Sequence, residues 1–190
     1  MAENGRIRSP RRGNQSLVAF SSLLIVLFWL STVAFSADLV LPQDTQAQVY
    51  FSPRGGAQDA LINAIGNAKE SIYVQAYSFT SEPIITALIQ AHQRGVHVEV
   101  ILDKSQRTDK RSGTAAVREA GIHTLIDSRH AIAHNKIMVI DQDTVVTGSF
   151  NFTKSAEEKN AENLLIVRSP KLTRLYLENW KRHREHSVRN

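Results

Sequence analysis

Between Gln48 and Leu102, apolar runs of strand length alternate with segments of helical period, and this alternation restricts the chain to an α/β architecture with a largely parallel sheet. Residues 48–52 read as a first strand, and Pro53-Arg54-Gly55-Gly56 as a turn. Leu61, Ala64, Ile65 and Ala68 fall at helical spacing and predict a helix over 57–69. Residues 71–79 are apolar on both faces, as an interior strand requires. Ser81 is placed to cap a second helix whose inner stripe is Ile85, Leu88, Ile89 and His92, and Gly95 ends it. Val96, Val98, Val100 and Leu102 then form one face of a third strand.

Residues 103–113 break the pattern and bring Lys104, Arg107, Lys110 and Arg111 close together. Two readings stand side by side: a solvated loop, or a phosphate-contacting arm following the C-terminal end of a strand, where open α/β sheets bind ligands. A short helix over 114–120, a strand over 122–126 and a loop over 127–133 lead to the most informative stretch.

That stretch is a hairpin. A strand begins near His134 and runs through the apolar residues 137–140; the chain turns at Gln142 and Asp143 and returns through Val145 and Val146 to Gly148. Strand residues two apart share a face, so His134 and Lys136 project together, whereas Asp141 has the opposite parity and is expected to hold the segment in place. Ser149 and Asn151 are again two apart, and the hairpin returns them beside His134 and Lys136. A potential nucleophile, a cation and two neutral hydrogen-bonding groups then converge, a set suited to an anionic phosphate.

The pattern His134-x-Lys136, Asp141, Gly148-Ser149, continued as Phe150-Asn151-Phe152-Thr153-Lys154, resembles the signature of the phospholipase D superfamily, and within it the small bacterial endonucleases. The resemblance extends from about Gln48 to Trp180. It implies a mixed, largely parallel sheet flanked by helices in an α-β-α sandwich, one domain over 48–190, and a two-fold homodimer that completes the active site. It also implies that His134 attacks phosphorus to give a phosphohistidine and that His134 of a second subunit protonates the leaving group. Glu162, at the start of a strand over 163–167, matches the glutamate that orients the catalytic imidazole in those endonucleases. Imidazole suits both roles because its ordinary pKa lies near neutrality, and the paired histidines would titrate together.

Four Arg and one Glu lie in residues 1–36, which read as a signal peptide: Arg6, Arg8, Arg11 and Arg12, an apolar core, then Ala34 and Ser36 at cleavage spacing. An uncleaved anchor over 17–35 is the rival reading, and Arg11-Arg12 a faint hint of twin-arginine export. Residues 37–47 read as a linker. The whole chain is +5, and without the leader it retains 19 basic and 17 acidic residues, a net of +2. Nucleic-acid affinity must therefore come from local clustering. There is no cysteine, which excludes disulfides and thiolate metal sites.

Two remaining helical segments complete the reading: a polar loop with a helical turn over 153–160, and a final helix begun by Pro170 with Leu172, Leu175 and Tyr176 as its stripe and Lys181, Arg182 and Arg184 as a solvated basic end. Within one chain, His130 and His123 compete as proton donors but occupy no motif position; His92, His97, His183 and His186 are assigned structural or solvent-facing roles on the same ground. A metal reading of His134, Asp141, Asp143 and Glu162 is disfavoured because Lys136 puts a positive charge where a cation would sit, so no metal or other cofactor is expected. The functional expectation is an exported, sequence-nonspecific endonuclease acting on DNA, with RNA left open. A membrane-held phospholipase and a silent phosphate-backbone-binding module are the alternatives.

Overall fold

A computed structural model describes Met1 and residues 36–189; the expected signal peptide or anchor lies almost wholly outside the described residues. Eight strands form one sheet: β1 (Gln46–Ser52), β2 (Ser71–Ala76), β3 (His97–Asp103), β4 (His123–Asp127), β5 (Lys136–Ile140), β6 (Thr144–Gly148), β7 (Glu162–Arg168) and β8 (Val188–Arg189), in the spatial order β1-β7-β6-β5-β2-β3-β4-β8. The helices are α1 (Ala57–Asn67), α2 (Glu82–Gln93), α3 (Thr114–Glu119), α4 (Lys154–Glu158) and α5 (Pro170–His186), with a 3-10 turn over Lys104–Arg107. Among these described elements none is a helix long and apolar enough to cross a membrane.

The α/β class and the mixed sheet hold, but the sheet is largely antiparallel where a largely parallel one was expected. Only β2–β3 and β3–β4 run parallel, while β1–β7, β7–β6, β6–β5, β5–β2 and β4–β8 are antiparallel. The reason is visible in β1. Gln46, Gln48, Val49 and Phe51 are exposed, so this strand carries too little buried surface for the interior and takes the edge beside β7. Strand β1 thus starts at Gln46, inside the segment read as a linker.

Helices cover both faces. On one, α1 and α2 press Leu61, Ile65, Ile84 and Leu88 onto Ile72, Val74, Val100, Leu102 and Met138. On the other, α5 packs Leu177 and Trp180 against Ile101, Leu125, Ile137 and Val139. The buried stripe of α5 is Thr173, Leu177 and Trp180 rather than Leu172, Leu175 and Tyr176, which stay half-buried. Trp180 decides the face: it has the largest side chain among the fully buried ones, and its indole N–H needs an acceptor, found in the Val74 carbonyl at 2.9 Å. Ser81 precedes α2 as expected but donates its hydroxyl to Gln58 Oε1 at 2.8 Å instead of capping the helix.

The β5–β6 turn shows why no Asn-Gly is needed. Asp141 and Gln142 both have positive φ, 50° and 58°, and Asp143 N–H donates to the Ile140 carbonyl at 3.2 Å, the pattern of a type I′ turn. Two non-glycine residues in this region cost free energy. The cost is offset by the Asp141 carboxylate, which accepts the backbone N–H groups of Lys69, Glu70 and Ser71 at 2.8, 2.8 and 3.0 Å. Asp141 therefore ties the hairpin to the start of β2, at the opposite end of β5 from Lys136. Asp141→Ala is expected to lower stability by about 2 kcal/mol, read from the midpoint of urea unfolding.

Candidate active site

Ala76 pairs with Lys136, Gly148 with Leu164 and Asp103 with Asp127, so β2, β3, β4 and β6 end, and β5 and β7 begin, along one edge of the sheet. At that edge His134, Lys136, Gly148, Ser149, Asn151, Glu162 and Asn163 line one cavity of about 590 Å3. The four residues read from the hairpin as a convergent set, His134, Lys136, Ser149 and Asn151, thus share a single space with Glu162, which the resemblance had added. His134 itself precedes β5 rather than lying within it. Ala133 N–H donates to Asp103 Oδ2 at 2.7 Å, and Tyr77 N–H donates to the Asn135 carbonyl at 2.9 Å, so the segment is held on both sides of the histidine.

Lys136 is buried at 6 % exposure, and His134 stays exposed. The Lys136 ammonium donates to the His134 carbonyl at 2.8 Å and to His134 Nδ1 at 3.0 Å, leaving one donor of three for a substrate. Burial pulls its pKa below the ordinary 10.5, opposed by the Glu162 carboxylate. The Tyr77 ring lies 4.5 Å from the imidazole between centroids and 5.1 Å from Lys136 Nζ. An ammonium can only donate, so Nδ1 is the accepting nitrogen and the imidazole proton sits on Nε2.

This contact bears on Glu162. The sequence resemblance gave it the task of orienting the imidazole, but its carboxylate accepts from Asn160 Nδ2 at 3.0 Å, while the Nδ1 side of His134 is taken by Lys136. Glu162 stands in the same cavity as a counter-charge to Lys136.

Ser149 and Asn151 are delivered by an unusual approach of β6 to β7. Gly148 has φ 146°, and a Cβ there would lie 2.2 Å from the Asn163 carbonyl oxygen. Absence of a side chain lets that oxygen accept the N–H groups of both Ser149 and Phe150, at 3.1 and 3.2 Å. Ser149 Oγ accepts from Asn163 N–H and Nδ2, so its own hydroxyl proton is available to a ligand. Phe150 and Phe152 are fully buried, and Asn151 between them faces the cavity. Tyr77 and Asn163 were missed in the sequence: each reads as an ordinary strand residue until the register places it.

The basic loop is not in this cavity. Lys104 donates to the His130 carbonyl at 3.1 Å, Arg111 bonds Asp109, and Arg107 and Lys110 are exposed. His123 is also removed as an intrachain donor: β2 and β3 separate its strand from β5, and its Nδ1 lies 2.7 Å from Glu99. His130 and His183 bond Asp127 and His186 Nε2 lies 3.3 Å from it; His183 and His186 are half-buried rather than solvent-facing, and this cluster of possible metal ligands lies outside the cavity. Arg184, read as part of a solvated end, donates to Glu99 at 2.7 Å.

Asp103 holds the backbone next to His134 through Ala133 N–H. Burial would raise its pKa, but bonds from Ser105 and from Ala133 N–H, with Lys104 nearby, hold it below the ordinary 3.8. A depressed carboxylate stabilises the fold above its unfolded pKa, and that contribution is lost as pH falls through the lower folded value. Asp103→Asn is therefore expected to cost about 1–3 kcal/mol at pH 7. The gap to the native chain should narrow below pH ~4 in urea unfolding carried out at both pH values.

The family model described as "Cardiolipin synthase, PLD-like domain" matches residues 61–184. A phospholipase D of Rickettsia prowazekii is 45 % identical over 130 residues, 68 % of this chain and 63 % of that protein; the chain thus matches just under two thirds of that relative's length. The human mitochondrial cardiolipin hydrolase is 33 % identical over 131 residues, 68 % of this chain and 52 % of its own length. Among solved structures, Nuc of Salmonella typhimurium, a phospholipase D family member, superposes with a TM-score of 0.74 at 39 % identity, covering 77 % of this chain and 99 % of Nuc.

Proposed function

The chain belongs to the phospholipase D superfamily and is a phosphodiester hydrolase, and from that premise we propose that it is an exported, sequence-nonspecific endonuclease acting on DNA, and secondarily RNA, as a homodimer. The observation that carries this reading is the lining of the cavity: His134, Lys136, Ser149, Asn151, Glu162 and Asn163 are all polar, with no aliphatic side chain to receive an acyl chain. Lys136 and the Ser149 hydroxyl neutralise and bind the phosphate. His134 Nε2 attacks phosphorus, the bond to the leaving oxygen breaks, and water later hydrolyses the phosphohistidine.

Attack by Nε2 requires its proton to be elsewhere. The neutral imidazole must therefore carry its proton on Nδ1, which requires the Lys136 contact there to give way, and Glu162 is the carboxylate in the cavity able to accept a hydrogen bond from Nδ1–H. The leaving oxygen also needs an acid. Among the described residues lining the cavity there is one imidazole, which supports a donor from a second copy across a two-fold axis. Among the described residues lining the cavity Glu162 is the one carboxylate, and an ammonium already sits beside it, so hydrolysis is expected to proceed without an added divalent ion.

A lipid reading has two observations in its favour. The curated relatives carry lipid-hydrolase names, and Phe51, paired in register with the cavity residue Asn163, and Ile132, two residues before His134, are 64 % and 56 % exposed. One experiment separates the readings: the purified chain is incubated with supercoiled plasmid and with cardiolipin vesicles, both in excess chelator well below the melting temperature. Nicked or linear DNA with intact lipid is the expected result. Lipid hydrolysis alone, or a strict need for added metal, overturns it.

A further inference from the structure

At the end of β4, the carboxylate of Asp127 is fully buried and surrounded by three imidazoles. His130 Nδ1, His183 Nδ1 and His186 Nε2 lie 2.9, 2.8 and 3.3 Å from the same oxygen, Oδ2. The three rings face one another with centroids 4.8, 5.2 and 5.4 Å apart, and the four ligand atoms all fall within 4.8 Å of one another. Two chain segments create this geometry. Asp127 and His130 are three apart at the turn leaving β4, and His183 and His186 are three apart on one face of the last turn of α5.

Hydrogen bonding alone does not satisfy the cluster. A carboxylate oxygen offers two lone pairs, and Oδ2 already meets His130 and His183, while Oδ1 takes Arg129 N–H at 3.1 Å. His186 Nε2 is left buried without a hydrogen-bond partner although it points at Oδ2. A metal ion replaces these hydrogen bonds: each imidazole takes the neutral tautomer with its proton on the far nitrogen and contributes the lone pair of the nitrogen that faces the centre. Three imidazoles and one carboxylate form the neutral-nitrogen and oxygen set that suits zinc and its neighbours in the first transition row, not magnesium or calcium. Bonds of about 2.0–2.2 Å in a tetrahedron put ligand atoms roughly 3.3–3.6 Å apart, so loading asks the contacts to Oδ2 to open by a few tenths of an ångström and the wider ligand pairs, now within 4.8 Å, to close toward that spacing. The C-terminal end of a 17-residue helix adds carbonyl dipoles that favour a cation.

We propose that Asp127, His130, His183 and His186 bind one divalent transition-metal ion of the zinc class, fastening α5 to the loop that runs from β4 to His134. The ion is structural and separate from the phosphate cavity, whose lining shares none of these four residues. It restrains the first part of the loop at residue 130, while the Asp103–Ala133 bond restrains the end next to His134.

The test is a cobalt(II) titration of the full, tag-free chain after chelator treatment and removal of the chelator. Saturation at one equivalent is expected, with the visible ligand-field bands of a four-coordinate ion, displaced by zinc. His183→Gln and His186→Gln should each weaken binding by at least the roughly 10–100-fold that loss of a mere supporting hydrogen bond costs a metal site. His123→Gln, at the separate Glu99 cluster, should leave it unchanged. Zinc at a hundredfold excess over its Kd should raise the melting temperature of the native chain by roughly 5–10 °C and that of the double variant by none. Circular dichroism monitors whether the variants fold; if they do not, the spectrum of the native chain decides alone. Equal binding by native and double-variant chains, or only the weak bands of a six-coordinate aqueous ion on the native chain, overturns the proposal.

Discussion

His134→Ala is expected to reduce phosphodiester hydrolysis by on the order of 10^4-fold or more while leaving DNA binding measurable. The size follows from the chemistry: the imidazole is the only nucleophile of its strength in the cavity, and losing it removes the covalent route rather than trimming one contact. Binding survives because Lys136, Ser149 and Asn163 still line the space and the alanine leaves the backbone carbonyl of residue 134 to accept from Lys136. Activity on plasmid and retention of labelled DNA, measured on the same preparation, check the two halves separately. Residual hydrolysis near the native rate would reject the nucleophile. A mixed dimer of native and His134→Ala chains sharpens the test, since a shared site loses either its attacking group or its acid. Full activity of a native monomer in sedimentation would rule out the paired arrangement altogether.

Gly148→Ala should be among the most destabilising single-methyl changes in the chain. Its Cβ would stand 2.2 Å from the Asn163 carbonyl oxygen and 3.0 Å from the carbonyl carbon, both backbone atoms that no rotamer change can move aside. At φ 146° an alanine is strained before any contact is counted. Relief requires β6 and β7 to separate where Ser149 and Phe150 share the Asn163 carbonyl. The expected loss is about 3 kcal/mol, or roughly 6–12 °C in melting temperature. Hydrolysis should also fall in the fraction that stays folded, because Ser149 leaves its place beside Asn163. Gly66→Ala is the control: a Cβ there meets nothing within 4 Å, and replacing a glycine inside α1 should be neutral or stabilising by up to about 1 kcal/mol. Equal melting temperatures for the two variants would remove the steric account of Gly148.

Much of the site could be read from residues close in sequence. His134, Lys136, Ser149 and Asn151 lie within one hairpin, and strand alternation with an antiparallel return needs no long-range information to bring them together. The opposite parity of Asp141 likewise kept it out of the site and left it to hold the segment in place, and it bonds the start of β2. Reading failed where partners come from distant segments. The edge position of β1 depends on its pairing with β7, more than a hundred residues later, and a strand's neighbour is not encoded in its own pattern. Glu162 was matched to the imidazole by resemblance; the structure puts it in the same cavity, with its hydrogen bond to Asn160 and Lys136 at the imidazole Nδ1, contacts that its strand pattern does not reveal.

Asp127 and the three histidines around it show the same limit. Asp127-x-x-His130 and His183-x-x-His186 are both visible as pairs spaced by three, a signal that could have drawn attention to them, yet each pair alone is common. Only α5 lying across the second face of the sheet, with Trp180 anchored on β2, brings the last turn to the end of β4. The sequence by itself therefore determined the α/β class, the hairpin and the convergence of imidazole and ammonium, since these follow from local periodicity. The tertiary structure alone decided strand order, the buried face of the last helix and the second histidine cluster. These depend on which distant surfaces exclude water together, a property of pairs of segments and not of either one.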